Sequence, residues 1–241
     1  APGSEDLLGA NGQTARVFLA MNARPGMVYA QGTAFAPAFQ IDPMLPVNME
    51  FRLEYPDGHQ VVAQGTGDAS GSWAGSTPWT LDQPGVYHYL VNGEWNGHRA
   101  LVPGLPGDGG LVFVMDKERP ANAPNLAFNL PPISRFDAVK GTKFSGTSTA
   151  NTIYYAAVMP GVVLTQGTLP VTSGKFEYVF DPSAIHQTTP AYETTNVITK
   201  QPELGRVVHF TFFSQEKAPD GKVYGSFVRL IIRGNTVHYT R

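Results

Sequence analysis

The stretch Leu81–Pro103 reads LDQPGVYHYLVNGEWNGHRALVP, and few folds accept it. Pro84-Gly85 turns the chain, after which Tyr87, Tyr89 and Val91 fall on one face at period two and Val86, His88 and Leu90 on the other. A strand apolar on both faces belongs in the middle of a sheet. Two Asn-Gly pairs follow, Asn92-Gly93 and Asn96-Gly97, and each is a favoured two-residue type I′ hairpin loop. Cross-strand chemistry selects between them. A turn at Asn96-Gly97 sets Glu94 opposite Arg99 and Val91 opposite Val102, with Trp95 facing His98 at the tip. A turn at Asn92-Gly93 sets Tyr89 opposite Asn96 and leaves Arg99 without a partner. The expected product is a long hairpin whose turn carries an aromatic ring beside an imidazole.

The rest of the chain is written in the same style. Val47, Met49, Phe51, Leu53 and Tyr55 alternate with Asn48, Glu50, Arg52 and Glu54, which predicts a strand with one core face and one wet face, ended by the turn Pro56-Asp57-Gly58. Val17, Leu19 and Met21 alternate earlier, and Thr33–Ile41 is apolar but broken by Pro37, which predicts an edge or a bulge. In the second half Ile153–Val158, Val162–Thr168 and Lys175–Phe180 read as strands. Val207–Phe213 and Val223–Ile232 read as a hairpin across Pro219-Asp220-Gly221, followed by a last strand, Thr236–Tyr239. Two short passages recur: Gly32-Thr33-Ala34-Phe35 as Gly141-Thr142-Lys143-Phe144, and the Pro-Asp-Gly turn.

A chain of 241 residues, at roughly 100 to 150 per domain, favours two domains over a single large barrel. The expected division is a flexible leader over 1–13, a β-sandwich over 14–116, a linker rich in charge, Asn and Pro over 117–132, and a second β-sandwich over 133–241. The last contains a long loop, 181–205, with three prolines and no sustained period. The fold class expected is all-β, two consecutive immunoglobulin-like antiparallel β-sandwiches. Gly and Pro together make 46 residues while charged residues are only 15%, so turns are plentiful and solvated helices scarce.

The formal charge is −2 and no Lys/Arg cluster stands out, which leaves no electrostatic footprint for nucleic acid. No apolar run approaches the ~20 residues that span a bilayer, so no membrane insertion is expected. The absence of cysteine excludes disulfides, thiolate metal sites and cysteine nucleophiles. The opening Ala-Pro-Gly-Ser suits a mature protein after signal-peptide removal or a trimmed fragment, and no Asn-x-Ser/Thr acceptor occurs. The histidines His59, His88, His98, His186, His209 and His238 are scattered without metal-ligand spacing, so no metal and no cofactor are expected. The Ser70-Gly71-Ser72-Trp73-Ala74-Gly75 run misses the spacing of a serine elbow. Asp57, Asp68, Asp108 and Asp220 sit in Gly-rich turns, where Asx hydrogen bonding accounts for them. No catalytic residue is therefore assigned. Planar side chains on a rigid strand stack on sugars or anchor protein partners, which makes Trp95 and His98 at the hairpin tip, and Tyr192 within the long loop, the binding candidates. Trp73 and Trp79 are assigned to packing.

Leu81–Tyr87 resembles the corner of immunoglobulin-like sandwiches, in which a Tyr near the start of the sixth strand hydrogen-bonds backwards; Tyr89 stands where antibody domains place a cysteine. With Pro56-Asp57-Gly58 and Pro84-Gly85-Val86-Tyr87, the span 28–115 is similar to the macroglobulin-type modules of bacterial extracellular and cell-surface proteins. The resemblance implies a secreted or surface-exposed structural and interaction protein without catalytic activity. Its partner would be another protein or a copy of itself, as in a filament subunit whose leader pairs with a neighbour's edge. The alternative is a carbohydrate-binding accessory module, with a glycan as partner.

Overall fold

The computed structural model describes residues 7–8, 14–19, 26–42, 47–75, 77–95, 98–100, 110–135, 142–159, 162–180, 192–195, 202–205, 207–233 and 236–240. All regular structure among the described residues is β. The chain forms two compact units, Ala1–Lys117 with Gly161–Val163, and Glu118–Pro160 with Leu164–Arg241.

In the first unit the strands are β1 (Leu7–Leu8), β2 (Thr14–Leu19), β3 (Val28–Ala30), β4 (Thr33–Phe35), β5 (Ala38–Asp42), β6 (Asn48–Glu54), β7 (Gln60–Thr66), β8 (Ser72–Ala74), β9 (Trp79–Leu81), β10 (Gly85–Trp95), β11 (His98–Ala100) and β12 (Gly110–Met115). One sheet runs β1-β2-β5-β8. A second runs β3-β12-β10-β6-β7 with β11 also on β10, and β4 pairs β9. Pro37 does split its apolar stretch: the chain breaks between β4 and β5, and the two pieces pair with β9 and β8 respectively. The organising strand is central as expected, with β12 and β11 on one side and β6 on the other. Only its Tyr87, Tyr89 and Val91 face is core, however; on the other face His88 is exposed and Val86 and Leu90 are half-buried.

The core is built of rings. The Phe51 ring lies parallel to Trp73 at 5.3 Å, to Phe39 at 5.9 Å and to Tyr89 at 6.2 Å. Phe35 meets Tyr89 edge-on at 5.0 Å and stacks with Trp79 at 6.3 Å. Each such pair adds about 0.5–1.5 kcal/mol beyond the area it buries. Trp73 and Trp79 are thus packing residues. Trp73 lies so close to Gly65 that a Cβ there would fall 2.1 Å from its Cε2 atom, so β7 needs glycine at that point.

Tyr87 closes the corner. Its hydroxyl donates to the Gln83 carbonyl at 2.6 Å and accepts from the Gln83 N–H at 3.1 Å, while Gly85 turns the chain with φ +130°. This is the backward hydrogen bond expected of the corner, and the residue it reaches is Gln83. Gln83 also donates from Nε2 to Asp57, and Tyr55 donates to the Thr80 carbonyl, so the β6–β7 turn and the approach to β10 are tied together. The Gln83 amide, more than the His59 N–H, holds the Asp57 carboxyl below its ordinary range.

The second unit contains β13 (Ala127–Phe128), β14 (Ile133–Arg135), β15 (Thr142–Thr147), β16 (Thr152–Met159), β17 (Val162–Pro170), β18 (Lys175–Phe180), β19 (Tyr192–Thr195), β20 (Pro202–Gly205), β21 (Val207–Lys217), β22 (Val223–Arg233) and β23 (Thr236–Thr240). A sheet β13-β15-β18 accompanies a sheet β14-β23-β22-β21-β16-β17, and β19 pairs β20. Phe128 meets Phe212 at 4.8 Å and Phe176 at 5.2 Å, bridging the two sheets. The hairpin across Pro219-Asp220-Gly221 pairs Val207 with Arg233 through to Lys217 with Val223. Glu216 on β21 is fully buried, and its carboxyl accepts from Ser148 Oγ at 2.6 Å, Thr149 N at 2.6 Å, Ser214 Oγ at 2.9 Å and the Thr149 hydroxyl. It pins the turn between β15 and β16 to β21.

The segments read as loose contain paired and packed residues. The leader holds β1, with Leu7 opposite Ala15 and Leu8 opposite Thr14. The stretch expected as a linker is packed instead. Ala123, Leu126 and Phe128 supply buried apolar side chains that a composition count hides, Arg119 donates to the Gly225, Ala123 and Pro124 carbonyls, and the Leu126 N–H donates to Ser226. Within 181–205, β19 and β20 form a hairpin, and the rest of that stretch lies outside the described residues.

Two tyrosines on one face of β10 make opposite predictions. Tyr89 is fully buried with a hydroxyl that has no partner among the described residues, and burial pushes its pKa well up. Tyr89→Phe removes no hydrogen bond and should leave the unfolding free energy unchanged or higher, whereas Tyr87→Phe opens the corner and should cost about 1–3 kcal/mol by urea denaturation. Glu216→Ala strands the buried Ser148 and Ser214 hydroxyls and should cost about 3 kcal/mol or more in the same assay, with the transition of the second unit moving first.

Candidate interaction surface

The outward face of β7, β6 and β10 is made by the polar half of the alternation. Register places the side chains in rows across the three strands: Thr66, Asn48 and Glu94; then Gln64, Glu50 and Asn92; then Val62, Arg52 and Leu90; then Gln60, Glu54 and His88. In three of the rows the β7 and β6 side chains are hydrogen-bonded to each other. Thr66 donates to Asn48 at 2.7 Å, Gln64 to Glu50 at 3.2 Å and Gln60 to Glu54 at 2.9 Å, while Arg52 reaches along the face to Glu50 at 3.1 Å and to Gln60 at 2.8 Å. The Arg52 guanidinium, followed by the Gln64 amide, holds the Glu50 carboxyl below its ordinary value of 4.5. At neutral pH it is therefore a charged acceptor already committed to two donors.

Between the first two rows lies an open trough of about 470 Å³, lined by Asn48, Glu50, Gln64, Thr66, Asn92 and Glu94. Its floor is the backbone of Gly65, Met49 and Gly93, which stand opposite one another in the register. Amides, a hydroxyl and carboxylates converge there, so the trough offers hydrogen bonds to a polar ligand. Among the described residues no group of three or more His, Asp or Glu side chains is placed to hold a metal ion.

β10 carries the chain from the core to this trough and then to the hairpin tip. The tip has the register argued from charge: Glu94 is opposite Arg99 and Trp95 opposite His98. The side chains of Trp95 and His98 lie outside the described residues, as does Val102. Tyr192 begins β19, where it faces Gly205; its side chain is likewise outside the described residues. Trp95 and His98 are thus brought together, and Tyr192 belongs to the other unit. The trough residues on β6 and β7 were not singled out from the sequence. The signal was present, because a turn at Pro56-Asp57-Gly58 sets Glu54 opposite Gln60 and the remaining rows follow by counting.

Exposed apolar side chains mark a second kind of surface. Of the five large apolar side chains exposed among the described residues, Val62, Ile133 and Val179 lie on β7, β14 and β18, each the terminal strand of its sheet, while Val223 lies on the inner strand β22 and Met27 just before β3.

No family model matches the chain, and no curated protein matches it. Among solved structures, it is similar to the crystal structure of a tetra-tandem repeat in the extending region of a large adhesion protein, with a TM-score of 0.31 and 13% sequence identity. The match covers 92% of this chain and 49% of that one, so the chain spans about half the length of the structure it resembles.

Proposed function

We propose that the chain is a non-catalytic structural and interaction protein, secreted or surface-exposed, made of two consecutive immunoglobulin-like sandwiches and able to self-assemble as a surface or filament subunit. The observation that supports this reading is that three of the five exposed large apolar side chains, Val62, Ile133 and Val179, lie on terminal strands, where a strand of another chain can add to the sheet. The sandwich reading is supported by the Tyr87 corner and by strand order. In the first unit β2, β5 and β8 take the A, B and E places and β12, β10 and β6 the G, F and C places; in the second, β13, β15 and β18 answer to β22, β21 and β16. Among the described residues no helix is long and apolar enough to cross a membrane.

A second reading, a carbohydrate-binding accessory module, is favoured by the trough, whose amides and carboxylates suit sugar hydroxyls. Sedimentation equilibrium and retention on insoluble polysaccharide separate the two. Mass that rises with protein concentration, without retention, supports the assembly reading. Retention that Glu50→Ala abolishes moves the function to the trough. For the hairpin tip, Trp95→Ala is expected to shift stability by less than about 1 kcal/mol while weakening association. A loss of about 3–5 kcal/mol would return that ring to the core.

A further inference from the structure

The ladder between β6 and β7 fixes which way each main-chain group of β7 points. The Tyr55 N–H donates to the His59 carbonyl and the Gly67 N–H to the Val47 carbonyl, so these residues face each other as hydrogen-bonded pairs at the two ends of the ladder. Antiparallel strands alternate hydrogen-bonded and non-bonded pairs. Val61, Ala63 and Gly65 are therefore bonded to β6, and the N–H and C=O groups of Gln60, Val62, Gln64 and Thr66 point to the open side, where no described strand pairs with them.

Proteins protect open edges with charge, proline or shortness. Most of the other described edges show such protection: β1, β3, β8, β13 and β14 have three residues or fewer, and β18 carries Lys175 and Glu177, whereas β17, Val162–Pro170, is uncharged and has only its terminal Pro170 against pairing. β7, Gln-Val-Val-Ala-Gln-Gly-Thr, is seven residues long with neither charge nor proline, and Val62 on it is exposed.

We infer that β7 is a pairing edge whose occupant is β7 of a second copy of this chain, joined antiparallel about a two-fold axis through Ala63. The strand is complementary to itself in that register. Gln60 meets Thr66 and Val62 meets Gln64, so all four outward residues fall in hydrogen-bonded pairs, and no charge opposes a like charge on the paired strands. An isologous contact of this kind closes at two copies and joins the two sheets into one. The inference rests on the assembly reading above and names the surface and the partner it uses.

The arrangement separates the interface from the fold. Val62→Pro removes an N–H that points outward and leaves the ladder to β6 whole. Ala63→Cys puts one cysteine in a chain that has none, and across a non-bonded antiparallel pair the Cα atoms would lie about 4.5 Å apart, within disulfide range. Sedimentation velocity should give twice the 26.0 kDa mass for the full chain and the single mass for Val62→Pro at an unchanged melting temperature. Mild oxidation should cross-link Ala63→Cys, and not Val61→Cys, whose partner would be Gly65. A dimer that persists in Val62→Pro, or one lost only on deleting residues 1–13, overturns the edge and leaves assembly standing. A monomer at every concentration overturns both. If Val62→Pro fails to fold, the absence of an Ala63→Cys cross-link in a sample of dimer mass is sufficient to reject the edge.

Discussion

The contact between Phe35, Tyr89 and Phe51 is the constraint on which the first unit depends. These rings come from β4, β10 and β6; Phe51 stacks with Tyr89, Trp73 and Phe39, and Phe35 meets Tyr89 edge-on, so the rings form one connected layer across the unit. Aromatic stacking is directional, so the layer fixes the offset between elements as well as their separation. β10 can present Tyr89 to that layer only if the chain enters the strand at the right point. The Tyr87 hydroxyl sets that point by holding the Gln83 main chain. Glycine at 65 is the corresponding concession on β7, where the Trp73 ring occupies the space of a side chain.

The two passages of sequence that recur between the units behave differently. Thr33-Ala34-Phe35 and Thr142-Lys143-Phe144 occupy the strands that carry Phe35 and Phe144 into the respective cores, so that recurrence marks an equivalent place. Pro-Asp-Gly does not. It joins β6 to β7 in one unit and β21 to β22 in the other, with Gly58 at φ +89° and Gly221 at φ +81° and with Asp57 and Asp220 each accepting the N–H two residues on. The same turn has been used twice because a left-handed glycine and an Asx contact answer the same local problem wherever a tight hairpin arises.

What the sequence discloses is largely what short range determines. Alternation places Met49, Phe51 and Leu53 inside, charge places Glu94 opposite Arg99, and the corner motif places Tyr87. Long-range partnership was less legible. The segment after Lys117 carries so much Pro, Asn and charge that Leu126 and Phe128 look incidental, although they are buried and β13 pairs β15. Glu216 reads as a surface charge on an alternating strand, and only the fold brings Ser148 and Thr149 to it from a turn 68 residues away in sequence. The trough is legible at intermediate range, because its rows follow from one turn, yet nothing local marks those side chains as a group.

Tyr89 has one further implication. In the resemblance to antibody domains it falls where they place a cysteine, and what joins Tyr89 to its neighbours here is ring contact with Phe35 and Phe51. A covalent staple would make correct folding wait on an oxidant and would make the finished fold vulnerable to a reductant. Rings need neither, so neither the folding of this chain nor the cohesion of its core depends on the redox state of its surroundings.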